Sequence, residues 1–178
     1  FGFRHVVIAT GSYWRTDGVG RWHTVPVESF NNPGVYSPDD IMKDTSVKGP
    51  VVIFDDDRYY MGSLMAEKLR AEGHDIVFVT PLGNVAEWTR YTGEQESIQA
   101  GLIKMGVEIV TGKAVTGFDG EKALLSCVFT GRQDSVPASS IVSVTARIPD
   151  DKLYYRLMQD PPILEEKGIK TVNRIGDC

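Results

Sequence analysis

Residues 51–80, VVIFDDDRYYMGSLMAEKLRAEGHDIVFVT, read as strand, tight loop, helix and second strand. Val51, Val52, Ile53 and Phe54 form an apolar, mostly β-branched run, the pattern of a parallel strand buried on both faces. Met61, Leu64, Met65 and Leu69 recur at spacings of three and four, which predicts a helix with one apolar face. Glu67 and Arg70, three residues apart, are expected to pair on its outer side. Gly73 stands where a left-handed cap ends a helix, and Ile76 to Val79 supply the second strand.

This βαβ unit has the outline of a dinucleotide-binding domain and the wrong residues in its loop. The G-x-G-x-x-G fingerprint uses its first glycine for the turn and its second to bring the backbone against a pyrophosphate. Aligning the last glycine on Gly62 puts Asp57 at the first position and Tyr59 at the second. The Tyr59 side chain is then expected to fill phosphate space. Asp55, Asp56 and Asp57 set up to three negative charges against another anion, each like-charge contact at ~4 Å costing on the order of 4 kcal/mol at an effective dielectric of ~20. The tip of the second strand carries Thr80 and Pro81, neither an acid for a ribose nor an Arg for an extra phosphate. The aspartates themselves have two readings, a solvated turn that favours the helix N-terminus or a cation site.

The 178 residues, 42% of them apolar, can bury a sizeable core, and a net charge of -5 argues against nucleic acid or an anionic membrane as partner. No apolar run approaches the ~20 residues of a membrane span. Cys127 and Cys178 are the only cysteines, too few for a disulfide framework or a cluster site, which fits a reducing, cytoplasmic setting. His5, His23 and His74 are scattered, so neither a metal site nor a catalytic triad is expected.

Working outward, residues 5–11 read as a strand, and Ile169 to Ile175 as another that runs into Gly176-Asp177-Cys178. Both ends look cut from a larger sheet, which gives the expectation of a fragment. Ser12 to Lys48 has little periodicity and reads as a linker, its Tyr13, Trp14 and Trp22 either anchoring it or marking a ligand or partner contact. Ser37-Pro38-Asp39-Asp40 predicts a short helix start with Ser37 as cap and Asp40 closing a capping box. Residues 81–90 read as a loop. Thr92 to Gln95 predicts a second capping box, opening a helix with Ile98, Leu102 and Met105 as its stripe and Gly106 as its end. Val107 to Val110 reads as a strand, Ala114 to Phe118 and Ala123 to Phe129 as antiparallel strands turning at Asp119-Gly120, and Ile141 to Val144 as a last buried strand. The expected fold class is α/β, an open Rossmann-like parallel sheet with an antiparallel β-meander.

Ile8-Ala9-Thr10-Gly11-Ser12 near one end, the nucleotide-type unit in the middle and Ile175-Gly176-Asp177 at the other end resemble the two-nucleotide-domain flavoprotein reductases. The DDDRYYMG loop, the preceding ATGSYWRTDG and the later Val144-Thr145-Ala146-Arg147 narrow this. They make nearly the whole chain similar to the C-terminal region of the trimethylamine, dimethylamine and histamine dehydrogenases.

The resemblance implies a host domain of FAD/ADP type that contributes residues 1–14 and resumes at 148–178. It places a linker at 15–47 and a degenerate NAD(P)-type domain at 48–147. It further implies a parent that is an amine-oxidising oxidoreductase with FMN, a 4Fe-4S cluster and ADP, passing electrons to an electron-transferring flavoprotein. None of that chemistry maps to a residue here, so no catalytic or metal residue is assigned and no cofactor is expected in the fragment. Thr10, Gly11 and Ser12, with Gly176 and Asp177, are the cofactor-binding candidates carried over from the host motifs, the alternative being a plain crossover between domains. Three functional readings follow. In the first, the fragment is a non-catalytic scaffold that does not bind NAD(P). In the second, it is a docking module in which the acidic loop and aromatic linker meet the electron-transferring flavoprotein. In the third, the parent is an NADPH-dependent enone or 2,4-dienoyl-CoA reductase with a working second nucleotide site. Oligomeric state and the parent's substrate are not legible in these residues.

Overall fold

The computed structural model describes residues 2–178. In chain order its first elements are β1 (His5–Ile8), β2 (Ser12–Trp14), a 3-10 turn at Glu28–Asn31, β3 (Val35–Tyr36) and α1 (Pro38–Met42). The βαβ unit is β4 (Val51–Asp55), α2 (Tyr60–Ala71) and β5 (Ile76–Thr80). A 3-10 turn at Glu87–Thr92, α3 (Gln95–Lys104), β6 (Glu108–Thr111), β7 (Lys113–Phe118), β8 (Lys122–Cys127), β9 (Gln133–Pro137) and β10 (Ser140–Val144) follow. The chain finishes with β11 (Arg147–Pro149), α4 (Lys152–Met158), α5 (Pro161–Glu166) and β12 (Thr171–Arg174). It divides into two compact units, one of the segments up to Tyr13 and from Arg147 to Cys178, the other of Trp14–Ala146.

The larger unit is built in three layers around a parallel sheet in the order β3-β10-β4-β5-β6. All five residues of β4 are buried, and their alternation serves two cores. Val51 and Ile53 face a cluster with Met65, Leu69, Phe78 and Leu102 under the helices, while Val52 and Phe54 face Phe30, Val115, Phe118 and Leu125 of the meander side. A strand covered on both sides is mostly apolar, which is why Val51 to Phe54 form a continuous run ahead of the buried Asp55. The meander β7-β8-β9 is antiparallel, with a bulge between Val115 and Gly117. The expected α/β class, parallel sheet and meander are all present.

Several local expectations are corrected. Leu64 is 49% exposed, and the buried face of α2 is completed instead by Gly62, Ser63 and Ala66. Small residues are needed there because α2 lies close on the sheet. Arg70 pairs with Asp75 at 3.0 Å and donates to the carbonyls of Met105 and His74, while Lys68 forms the i,i+4 pair with Glu72. Ser37 and Asp40 make the capping box. Thr92 does not make the second one, because its hydroxyl donates to Thr89 O and α3 starts from Glu94 without a side-chain cap. The stretch read as a linker supplies β3 at the sheet edge, and the loop at 81–90 holds the start of a 3-10 turn.

The smaller unit pairs β1 with β12 in parallel, His5 opposite Thr171 and Ile8 opposite Arg174, and carries α4 and α5. β2 and β11 form a two-stranded ladder where the chain passes between units. No helix among the described residues is long and apolar enough to cross a membrane.

Candidate functional site

From β4 the chain runs through α2 to β5 on one side, whereas β10 lies on the other side of β4. The crevice beyond the carboxyl ends of β4 and β10 is therefore the topological switch point, where open α/β sheets bind ligands. In this chain a strap formed by residues 18–23 lies across it. The backbone N–H of Trp22 donates to Asp56 Oδ2 at 2.5 Å. A methyl group on Gly20 would stand 2.6 Å from Asp56 Oδ2 and 3.0 Å from Thr145 Cβ, so the strap meets the residues that follow both strands. Only glycine permits that approach. The strap is closed on itself by Gly20 N–H to His23 O at 2.9 Å. Its far end is tied down by His23, whose Nε2–H donates to Val115 O at 2.8 Å while the ring packs against Phe54 at 5.6 Å between centroids. Arg21 stacks on the Trp88 ring, 4.2 Å from its centre.

The aspartate loop beneath is not the solvated turn expected. Asp55 is 1% exposed and Asp56 fully buried. Backbone N–H groups of Asp56 and Asp57 donate to Val144 O at 2.8 and 3.1 Å, which folds the loop in over β10. Asp56 then takes the Trp22 amide on one oxygen and the Arg58 guanidinium on the other at 3.2 Å. Asp55 Oδ1 accepts from the Arg58 amide at 3.3 Å, but Oδ2 is buried without a partner. Burial, reinforced by the neighbouring Asp57 and Asp56 charges, pushes the Asp55 carboxyl up to about 8, so it is protonated at neutral pH. Arg58 holds the loop in a left-handed backbone at φ 73°, and its carbonyl accepts from Trp88 N–H at 3.0 Å. The Tyr59 ring is 38% exposed and sits edge-on to Tyr60 with centroids 4.2 Å apart. Neither a capping side chain nor an acid in the first turn marks the start of α2. Among the described residues no three His, Cys, Asp or Glu stand close enough to share a metal ion, so the aspartates do not form a cation site there.

The host-type candidates lie in the smaller unit. Thr10 and Gly11 follow β1, Gly176 and Asp177 follow β12, and Ile175 N–H donates to Ile8 O at 3.0 Å, so the two segments come together beyond the same carboxyl ends. Ser12 instead opens β2. The Thr10 hydroxyl donates to Asp150 O, and Asp177 pairs with Arg147 at 2.8 Å. Gly11 and Gly176 have φ of 75° and 74°, and a methyl group on either would meet nothing within 4 Å. Gly20, Arg58 and Thr145 are site residues to which sequence reading assigned no role, while Trp22, read there as an anchor or a contact, anchors the strap through its amide. The one available signal was the glycine pair Gly18 and Gly20 beside an aromatic in a stretch without periodicity.

The larger unit is Rossmann-like in class, and the comparisons agree with that fold. Residues 36–132, over half of the chain, match the family described as OYE-like second alpha/beta domain, and the chain belongs to that family. It is 27% identical to the dimethylamine dehydrogenase of Hyphomicrobium sp. (strain x) over 199 residues, covering 100% of this chain and 27% of that protein. The structure of histamine dehydrogenase from Rhizobium sp. 4-9 matches with a TM-score of 0.91 and 37% identity, over 99% of this chain and 28% of that one. That of 6-hydroxypseudooxynicotine amine oxidase from Pseudomonas geniculata N1 matches with a TM-score of 0.92 and 32% identity, over 98% and 26%. The resemblance to the amine dehydrogenase region therefore holds, and the chain spans about a quarter of the length of these relatives.

Proposed function

We propose that this chain is a non-catalytic scaffold portion of an amine-oxidising flavoprotein dehydrogenase, and that its NAD(P)-type domain no longer takes a nucleotide. The observation that carries this reading is the strap over the switch point, with Gly20 against Asp56 and Thr145 and the Trp22 amide bonded to Asp56. Space that a pyrophosphate needs is occupied by the chain's own backbone. The parent is expected to carry FMN and a 4Fe-4S cluster outside these residues and to work in the cytoplasm. For the ADP that the resemblance implies, the backbone at Gly11 and Gly176 offers room, whereas the Thr10 hydroxyl and the Asp177 carboxylate are already engaged. Residues 10–11 and 176–177 would hold such a ligand chiefly through backbone groups. A working NADPH site, which an enone or dienoyl-CoA reductase requires, is at odds with the strap.

Calorimetric titration of the full chain with NADH, NADPH and ADP tests the reading. No heat from NADH or NADPH is the expected result, and saturable micromolar binding of either would refute it.

A second reading, docking of an electron-transferring flavoprotein on the parent, draws support from the exposed rings of Trp22 and Trp88 beside Arg21. Trp and Arg are the side chains that dominate protein interfaces. Asp55 and Asp56 take no part in that version because both are buried. Replacing Trp22 and Trp88 by Ala should weaken binding of the electron-transferring flavoprotein at least ~10-fold, and unchanged affinity would remove this reading.

A further inference from the structure

We infer that the strap, residues 18–23, is an internal ligand of the switch-point crevice, and that it rather than the Asp57 and Tyr59 substitutions bars a dinucleotide. The inference rests on the reading that wild type does not bind NAD(P), and it says which element is responsible.

The loop substitutions look prohibitive in sequence and prove weak in structure. Of the three aspartates, Asp55 is protonated and buried, and Asp56 is turned inward onto Trp22 N–H and Arg58. That leaves Asp57 as the loop's one partly exposed carboxylate, so the repulsion facing an incoming phosphate shrinks from three charges to one. The Tyr59 ring lies against Tyr60 and solvent and is not wedged among core residues. A ring on the solvent side has room to rotate aside.

The strap cannot give way so readily. It is fixed at Gly20 by contact with two strand ends, at Trp22 by a hydrogen bond to a buried carboxylate, and at His23 by a hydrogen bond and a ring contact. The Trp22 amide gives Asp56 the kind of backbone N–H that a phosphate oxygen receives in a working site, with the roles of chain and ligand exchanged. Close packing of Gly18 against Phe30 and Val27 holds the strap's other end, where an added methyl group would meet both side chains at 3.0 Å.

The test uses the full chain with NADH and NADPH as probes and four proteins: wild type, D57G/Y59G, G20A, and the combination of all three changes. Gly20→Ala drives a methyl group into Asp56 and Thr145 and should free the strap, read as ~10- to 100-fold faster hydrogen exchange at the Trp22 amide. Should G20A not fold, Trp22→Pro removes the Trp22 hydrogen bond, and exchange is read instead at the Gly20 amide, which donates to His23 O. D57G/Y59G with the strap intact should bind neither probe, while G20A alone and the combined variant should both gain saturable millimolar binding. Binding by D57G/Y59G alone overturns the inference, as does a G20A or combined variant whose strap is free by exchange yet binds nothing. An unchanged exchange rate in the strap variant overturns it too, since the Gly20 and Trp22 contacts would then not hold the strap. Binding by wild type is a different outcome, refuting the scaffold reading itself.

Discussion

The molecule contains two pairs of parallel strands whose carboxyl ends lie side by side, β4 with β10 in the larger unit and β1 with β12 in the smaller. Beyond the first pair the chain packs closely on itself: Asp55 against Gly62, Asp56 against Gly20 and Trp22, Thr145 against Gly20. Beyond the second pair, Gly11 and Gly176 have no heavy atom within reach of an added methyl group. Both arrangements use glycine, for opposite reasons. Gly20 and Gly62 are needed because there is no space for a side chain, whereas Gly11 and Gly176 are needed because the backbone turns left-handed in open space. In these residues one pair of strand ends is crossed by a strap and the other is not.

The widest test of the filled end is its dependence on pH. Asp55 holds its proton up to about 8 in the fold, while in the unfolded chain a carboxyl releases it near ~3.9. Stability from this group is therefore fully present below the unfolded value and is lost as pH rises toward 8. Wild type should lose up to ~1.4 kcal/mol per pH unit relative to Asp55→Asn across the window from pH 5 to 8, measured as the difference between their urea-derived stabilities. Asp17 and Glu87, whose carboxyls are held low by Arg15 and Arg90, titrate below that window and do not blur it. A parallel pair of pH curves would mean that Asp55 is ionised in the fold.

A smaller effect separates the two kinds of glycine. Gly62→Ala puts a methyl group 2.7 Å from Asp55 Cγ and 2.9 Å from its Cβ, atoms fixed by the strand, and should cost ~1–3 kcal/mol despite the better helix propensity of Ala. Gly11→Ala meets no atom and should cost only the left-handed backbone, ~1 kcal/mol. Denaturation midpoints followed by circular dichroism would compare them. Equal losses at the two positions would erase the distinction between packed and open ends.

Legibility in the sequence followed the range of the interactions. The run Val51 to Phe54, the Ser37–Asp40 capping box and the left-handed Gly73 are set within a few residues, and each stands where its pattern points. Leu64 reads as core by spacing, yet it is exposed while Gly62 takes the close seat on Asp55, a contact that periodicity does not encode. Arg70 leaves Glu67 for carbonyls at the ends of α2 and α3, which better use its several donors. The charge of the Asp triplet was misjudged because ionisation depends on burial, and burial of Asp56 depends on an amide 34 residues away. Thr10, Gly11, Gly176 and Asp177 were legible as motifs and do come together, while the strap had no motif at all.

The register of β10 on β4 pairs Ser140 with Val51 and Val144 with Asp55, partners nearly ninety positions apart along the chain. Contacts of such separation form late, after local ones have shortened the effective loop. The meander β7-β8-β9 is the local structure that does so, since its strands close through short turns directly before β10. Thr145, which the strap packs against, takes its place only when β10 has paired. The strap, though it precedes both strands in the chain, therefore has its complete seat only in a sheet in which β10 is already paired with β4.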